Sequence, residues 1–139
     1  MSSGLFNSSS ETSARLLMAL PIIDRPASLD EITAIDLVAT YMQFFGYGDQ
    51  NLHGDNEFAL AEYDARRARV EAGLKRLVRS GYALSNKQAT SFTATGPAAD
   101  QQSLLNGDFA DGYRTAVKTL VEQQLIGELV QRTTQGAAR

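Results

Sequence analysis

Residues 58–95 read FALAEYDARRARVEAGLKRLVRSGYALSNKQATSFTAT, and the fold turns on where this stretch stops being helical. Val70, Leu74, Leu77 and Val78 recur at the spacing of one helix face, which predicts a long helix over 58–80. Gly81 is a good stop, because glycine takes up a left-handed backbone conformation at little steric cost. Beyond it, YALSNKQATSFTAT holds two short alternating segments around a polar turn at Asn86 to Gln88, a hairpin pattern.

A long helix running straight into a hairpin is the outline of a winged helix. Upstream, Ser28 and Glu31 have the S-x-x-E spacing of a capping box and predict a second helix over LDEITAIDLVATYMQFF, with Ile32, Ile35, Val38 or Ala39, and Met42 at helical spacing. A first helix fits Glu11 to Leu20, with Pro21 and Pro26 bounding a short joint. Downstream, Gly96 and Pro97 open a short helix that Asn106 and Gly107 break, and a last helix is expected from Phe109 to Gln131. Phe109, Tyr113, Val117, Leu120 and Val121 share its inner face. The expected architecture is mainly α with a small β-hairpin, a winged-helix-like single domain over 11–131. An extended arm over 1–10 precedes it and a frayed tail over 132–139 follows.

The 139 residues suit one domain. With no cysteine, disulfides, thiolate metal sites and a cysteine nucleophile are excluded. The start lacks the basic and apolar regions of a signal peptide, and no apolar run is long enough to cross a bilayer, so a cytoplasmic protein without a membrane role is expected. The net charge of −3 argues against a chain that grips nucleic acid over its whole surface.

The loop GYGDQNLHGDN, residues 46–56, holds the sole histidine. Asp49, His53 and Asp55 resemble an oxygen-rich metal site, but co-ligands at zinc spacing are missing and the aspartates do not follow a calcium loop. A catalytic His–Asp pair would need a marked nucleophile, and neither G-x-S-x-G nor a phosphate-binding glycine loop occurs. No catalytic residue, metal site or cofactor is therefore expected, and His53 reads as a structural loop anchor.

Arg66, Arg67, Arg69 and Arg76 fall on the long helix, with Ala72 and Gly73 as small residues between the last two. Phosphate contact, protein contact and a solvated helix face are all open readings. Glu71 lies four residues from both Arg67 and Lys75, and such pairs stabilise a helix by only about 0.2–0.5 kcal/mol each. Leu125, Ile126, Leu129 and Val130 exceed what one core stripe needs. They form either a partner-binding face or a surface packed back on the first helix.

Taken together, LFNSSSETSARLLMAL, DRPASLDEITAIDLVATY, NLHGDN, EYDARRARVEAGLKRLVRSG and FTATGPA resemble, in order and spacing, the small middle components of bacterial ABC-three-component systems, over residues 5–125. Two positions depart from that pattern: Gly54 stands where a proline usually follows the histidine, and Ala59 where an arginine is frequent. The resemblance implies a non-enzymatic adaptor. It would bind an SMC- or Rad50-like ABC ATPase and help hold an effector, a nuclease or other toxin, inactive until foreign DNA is sensed. Lamassu-type anti-phage defence belongs to this group. The alternative is a stand-alone winged-helix DNA-binding regulator.

Overall fold

The computed structural model describes residues 9–42 and 62–137. Its elements are α1 (Ser9–Ile23), β1 (Ala27–Ser28), α2 (Leu29–Thr40), α3 (Tyr63–Arg79), β2 (Ala83–Ser85), β3 (Ser91–Ala94), α4 (Gly96–Gln102), α5 (Asp108–Glu122) and α6 (Ile126–Ala137). The fold is mainly helical, with one small antiparallel sheet ordered β1-β3-β2. His53, Asp49 and Asp55 lie outside the described residues, as do the first eight residues of the arm expected over 1–10 and the last two of the expected tail; residues 9 and 10 already belong to α1.

α2 is the central element. Every residue from Ile32 to Thr40 is buried, and α1, α3, α5 and α6 all pack against it. A helix apolar on all sides belongs inside a domain rather than on its surface. Its start is the expected capping box: the Glu31 amide donates to Ser28 Oγ at 3.1 Å, and the Ser28 amide donates to Glu31 Oε1 at 2.8 Å.

α1 runs three residues past its expected end, through Pro21. Proline's fixed φ suits the helix, and its missing amide costs the one bond it would have donated to the Leu17 carbonyl, so the helix ends two residues later. The chain then turns at Asp24, whose φ of 54° lets its amide reach the Leu20 carbonyl at 3.0 Å.

At the end of α3, Gly81 has φ 85°, its amide donates to Val78 O at 3.1 Å and the Tyr82 amide donates to Leu77 O at 2.9 Å. This pair of bonds is a Schellman stop, and it aims the chain directly into β2. The hairpin register sets Ala83 opposite Ala94, Leu84 opposite Thr93 and Ser85 opposite Phe92. The third strand was not expected from the sequence: β1 pairs with β3 through Ala27 and Phe92. Two residues are too few to show alternation, so β1 leaves no period in the sequence. Ala27, Ala83 and Phe92 form the buried face of the sheet.

The expected last helix, 109–131, is two helices broken at Gln123–Leu125. Gln124 sits at φ 57°; its amide donates to Val121 O at 3.0 Å and that of Leu125 to Leu120 O at 3.1 Å. This is again a Schellman stop, with glutamine in the position that glycine favours.

Candidate functional site

The polar centre of the molecule is Asp36, in the middle of α2 and fully buried. Arg15 of α1 donates from Nε to Oδ1 at 2.8 Å and from Nη2 to Oδ2 at 3.2 Å, a bidentate pair. Arg66 of α3 donates from Nη1 to Oδ2 at 2.9 Å and to the Asp36 carbonyl at 3.3 Å. Tyr113 of α5 donates its hydroxyl to Oδ1 at 2.7 Å. One carboxylate thus joins four helices, and its acceptor sites are filled.

An outer ring completes the network. Arg66 Nη1 also donates to Thr40 Oγ1 at 3.1 Å, and Nη2 donates to Glu62 Oε2 at 2.6 Å. Arg15 reaches Thr12 Oγ1 at 3.4 Å and lies 3.9 Å from Glu11. The Arg66 guanidinium stands over the Tyr41 ring, 5.9 Å from its centroid. Nearby, Asp30 Oδ1 accepts from Tyr63 at 2.7 Å and from Arg67 Nε at 2.9 Å, tying the start of α2 to the start of α3.

The electrostatics follow from this geometry. Burial alone would raise the Asp36 carboxyl; the Arg15 and Arg66 guanidiniums override it and hold the group well below the usual carboxylate range. Tyr113 is pushed up by burial and by the Asp36 charge beside it. The Tyr63 hydrogen bond, against burial and with help from Arg67, lowers Asp30. An ionised, saturated and fully enclosed carboxylate does not trade protons with a substrate. Its chemistry is that of a clamp.

The basic residues of α3 separate into different environments. Arg66 is fully buried in the clamp, which leaves its side chain no exposed surface to offer DNA or a partner. Arg67 is 42% exposed and tied to Asp30. Arg69 is half-buried, and its Nε has no acceptor among the described residues. Arg76 is exposed. Of the two small residues between Arg69 and Arg76, Ala72 is exposed and Gly73 is covered by α1, with Leu16 Cδ1 2.9 Å from where a Cβ on Gly73 would stand.

The expected partner face on the last helix is likewise largely internal. Leu129 is fully buried and Ile126 nearly so, while Leu125 and Val130 are half-buried against the core. Of the two readings, packing within the chain is the one observed, although the support is α2 rather than α1.

Asp36 and Arg15 were not singled out from the sequence, and Tyr113 was read only as an inner-face residue of the last helix. The signal was present: one carboxylate in the apolar run ITAIDLVAT, and one guanidinium in SARLLMAL. Lone charges inside two core helices imply each other, because a buried charge needs a partner.

Among the described residues, two of the surface clefts are lined by cationic side chains. One of about 390 Å³ lies between α1 and α5, lined by Met18, Ile22, Arg114, Lys118 and Val121 among others. The other, about 220 Å³, lies between α3 and the hairpin, lined by Lys75, Val78, Arg79, Ala89 and Phe92 among others. Among the described residues no group of three or more His, Cys, Asp and Glu could hold a metal ion, and no helix is long and apolar enough to cross a membrane.

Residues 5–131 match the family model described as ABC-three component (ABC-3C) system Middle Component 2. No curated protein and no solved structure matches the chain.

Proposed function

From the premise that this chain belongs to the middle component 2 family of ABC-three-component systems, we propose that it is a non-enzymatic accessory subunit of such a system. In this reading it binds an SMC- or Rad50-like ABC ATPase. It also helps to hold an effector, a nuclease or other toxin, inactive until foreign DNA is sensed, as in Lamassu-type anti-phage defence in the cytoplasm. The observation that carries the proposal is the family match along nearly the whole chain. The clamp supports it: the conspicuous ionisable groups of the interior are engaged in joining α1, α2, α3 and α5.

Co-expression with the ATPase and effector components of its own system tests the proposal. The expected result is co-purification of this chain with the ATPase, and toxicity of the effector when this chain is withheld. A chain that elutes alone, with effector toxicity unchanged by its absence, overturns it.

A second reading, a stand-alone winged-helix DNA-binding regulator, draws on the order helix, strand, helix, helix, strand, strand among the described residues and on the exposed Arg76 and Arg79 of α3. It requires salt-dependent DNA binding by the isolated chain that weakens in Arg69→Ala and Arg76→Ala. Absence of a gel shift at low salt removes this reading.

A further inference from the structure

We propose that the groove between the C-terminal half of α3 and the β2–β3 hairpin docks an acidic segment of another component of the system, anchored by one apolar side chain. This inference rests on the accessory-subunit reading.

Charge is segregated along the chain. From Ala72 to Ala99 it carries Lys75, Arg76, Arg79 and Lys87 and no Asp or Glu, in a protein with 16 acidic residues and a net charge of −3. Among the described residues no ion pair involves Arg76, Arg79 or Lys87. Lys75 meets only Glu71, at 3.9 Å with both side chains largely in solvent, a pairing of little energetic weight. Lys75 and Arg79 line the groove beside Glu71, the one acidic residue of its lining, and Lys87 stands on the turn between its lining residues Ser85 and Ala89.

The floor is apolar, made by half-buried Val78 and buried Phe92. A volume of about 220 Å³ is below the roughly 300 Å³ at which sites for drug-sized ligands begin, so it suits a single side chain rather than a cofactor. The hairpin wall is pinned by Asn86, whose Oδ1 accepts from the Thr90 amide at 2.7 Å and the Ser91 amide at 3.2 Å, and whose Nδ2 donates to Thr90 Oγ1 at 2.7 Å. A wall held in place before binding costs less to order on docking.

Carboxylates flanking an apolar anchor fit this arrangement better than a phosphate backbone does. Phosphates make no use of an apolar floor.

The chain has three lysines, which makes the test direct: Lys75 and Lys87 flank this groove, and Lys118 lines the cleft between α1 and α5. Carbodiimide treatment of the assembled complex joins lysine amines to carboxylates in direct contact. Amide cross-links from Lys75 and Lys87 to Asp or Glu of another component are expected. The double variant Arg79→Glu, Lys87→Glu should weaken assembly at least tenfold, with the difference shrinking in high salt. Cross-links from Lys118 alone, or a variant that assembles normally, overturn the proposal.

Where no complex forms, the accessory-subunit reading fails by itself and the groove is probed on the isolated chain. A fluorescent twelve-residue peptide of alternating Glu and Leu should bind, and the double variant should abolish the binding. No binding, or tighter binding of a 20-base-pair DNA duplex lost in the same variant, overturns the inference.

Discussion

The Tyr113 hydroxyl donates to Asp36 Oδ1 at 2.7 Å, across 77 residues of chain and between two fully buried side chains. Together with Arg15 and Arg66 it makes a single carboxylate the meeting point of α1, α2, α3 and α5. The helices of a small domain are usually held by apolar contact alone. Here a charged knot also fixes which faces meet, because any other register would leave a buried ion without a partner.

Breaking the knot at one point should therefore cost more than removing it. Tyr113→Phe deletes one hydrogen bond to a charged group and should cost about 1.5–3 kcal/mol. Asp36→Ala takes the shared carboxylate from two buried guanidiniums, leaving Arg66 to Glu62 and Arg15 to the more distant Glu11, and should cost about 3–5 kcal/mol. The triple variant Arg15→Met, Asp36→Leu, Arg66→Met removes the three fully buried charges and should be more stable than Asp36→Ala alone. Urea midpoints at constant m-value rank the three, and a triple variant less stable than Asp36→Ala would defeat this account.

The same geometry sets the pH limits of stability. Asp36 is held below its ordinary value in the fold, so its contribution is fully present above the unfolded value near pH 4 and is lost as pH falls further. Tyr113 is raised in the fold, so its contribution is present below its unfolded value near pH 10 and is lost as pH rises beyond it. Unfolding free energy measured from pH 2 to 11 should fall at both ends. Tyr113→Phe should flatten the alkaline fall, and Asp36→Asn the acid one. Slopes unchanged by these substitutions would assign the limits to other groups.

Most of the helical order was legible because it is local: the capping box at Ser28 and Glu31, the stop at Gly81 and the stripe of Val70, Leu74 and Leu77 each lie within a few residues. What escaped was non-local or chemically disguised. β1 exists only through its pairing with Phe92, and the role of Arg66 depends on Asp36, which is 30 residues away. The break after α5 was hidden because Gln124, not glycine, occupies the left-handed position.

That disguise gives a third expectation. Left-handed φ costs a non-glycine residue about 1–2 kcal/mol, and glycine's extra freedom in the unfolded chain returns about 0.5–1 of it. Gln124→Gly should stabilise the protein by about 0.5–1 kcal/mol and raise Tm by a few degrees. A lower Tm would mean that the glutamine side chain makes a contact that outweighs the strain.

Gly73 marks the closest approach of α3 to α1, with Leu16 Cδ1 2.9 Å from the site of a Cβ and Thr12 Cγ2 3.5 Å from it. Gly73→Ala gains about 1 kcal/mol of helix propensity and loses a comparable amount to crowding of the fully buried Leu16, so it should be near neutral. Gly73→Val adds two methyl groups to the same gap without a further gain and should cost about 1–3 kcal/mol. Thermal melts of the pair separate the two terms, and equal Tm values for them would show that α1 yields without strain.

Leu129 and Arg76 divide fold from assembly. Leu129 is fully buried against α2, so Leu129→Asp puts a charge into the core with no partner placed for it. It should destabilise the chain by about 3–5 kcal/mol, judged from the loss of a core leucine, and any effect on the complex would then report a damaged fold. Arg76 is exposed, so Arg76→Glu should leave the urea midpoint within about 0.5 kcal/mol of the parent. Because it lies on the cationic side of α3, it should nonetheless weaken assembly. Stability and assembly measured on the same two preparations decide the matter. If Leu129→Asp melts like the parent, α6 is not part of the core; if Arg76→Glu assembles like the parent, α3 meets its partner elsewhere.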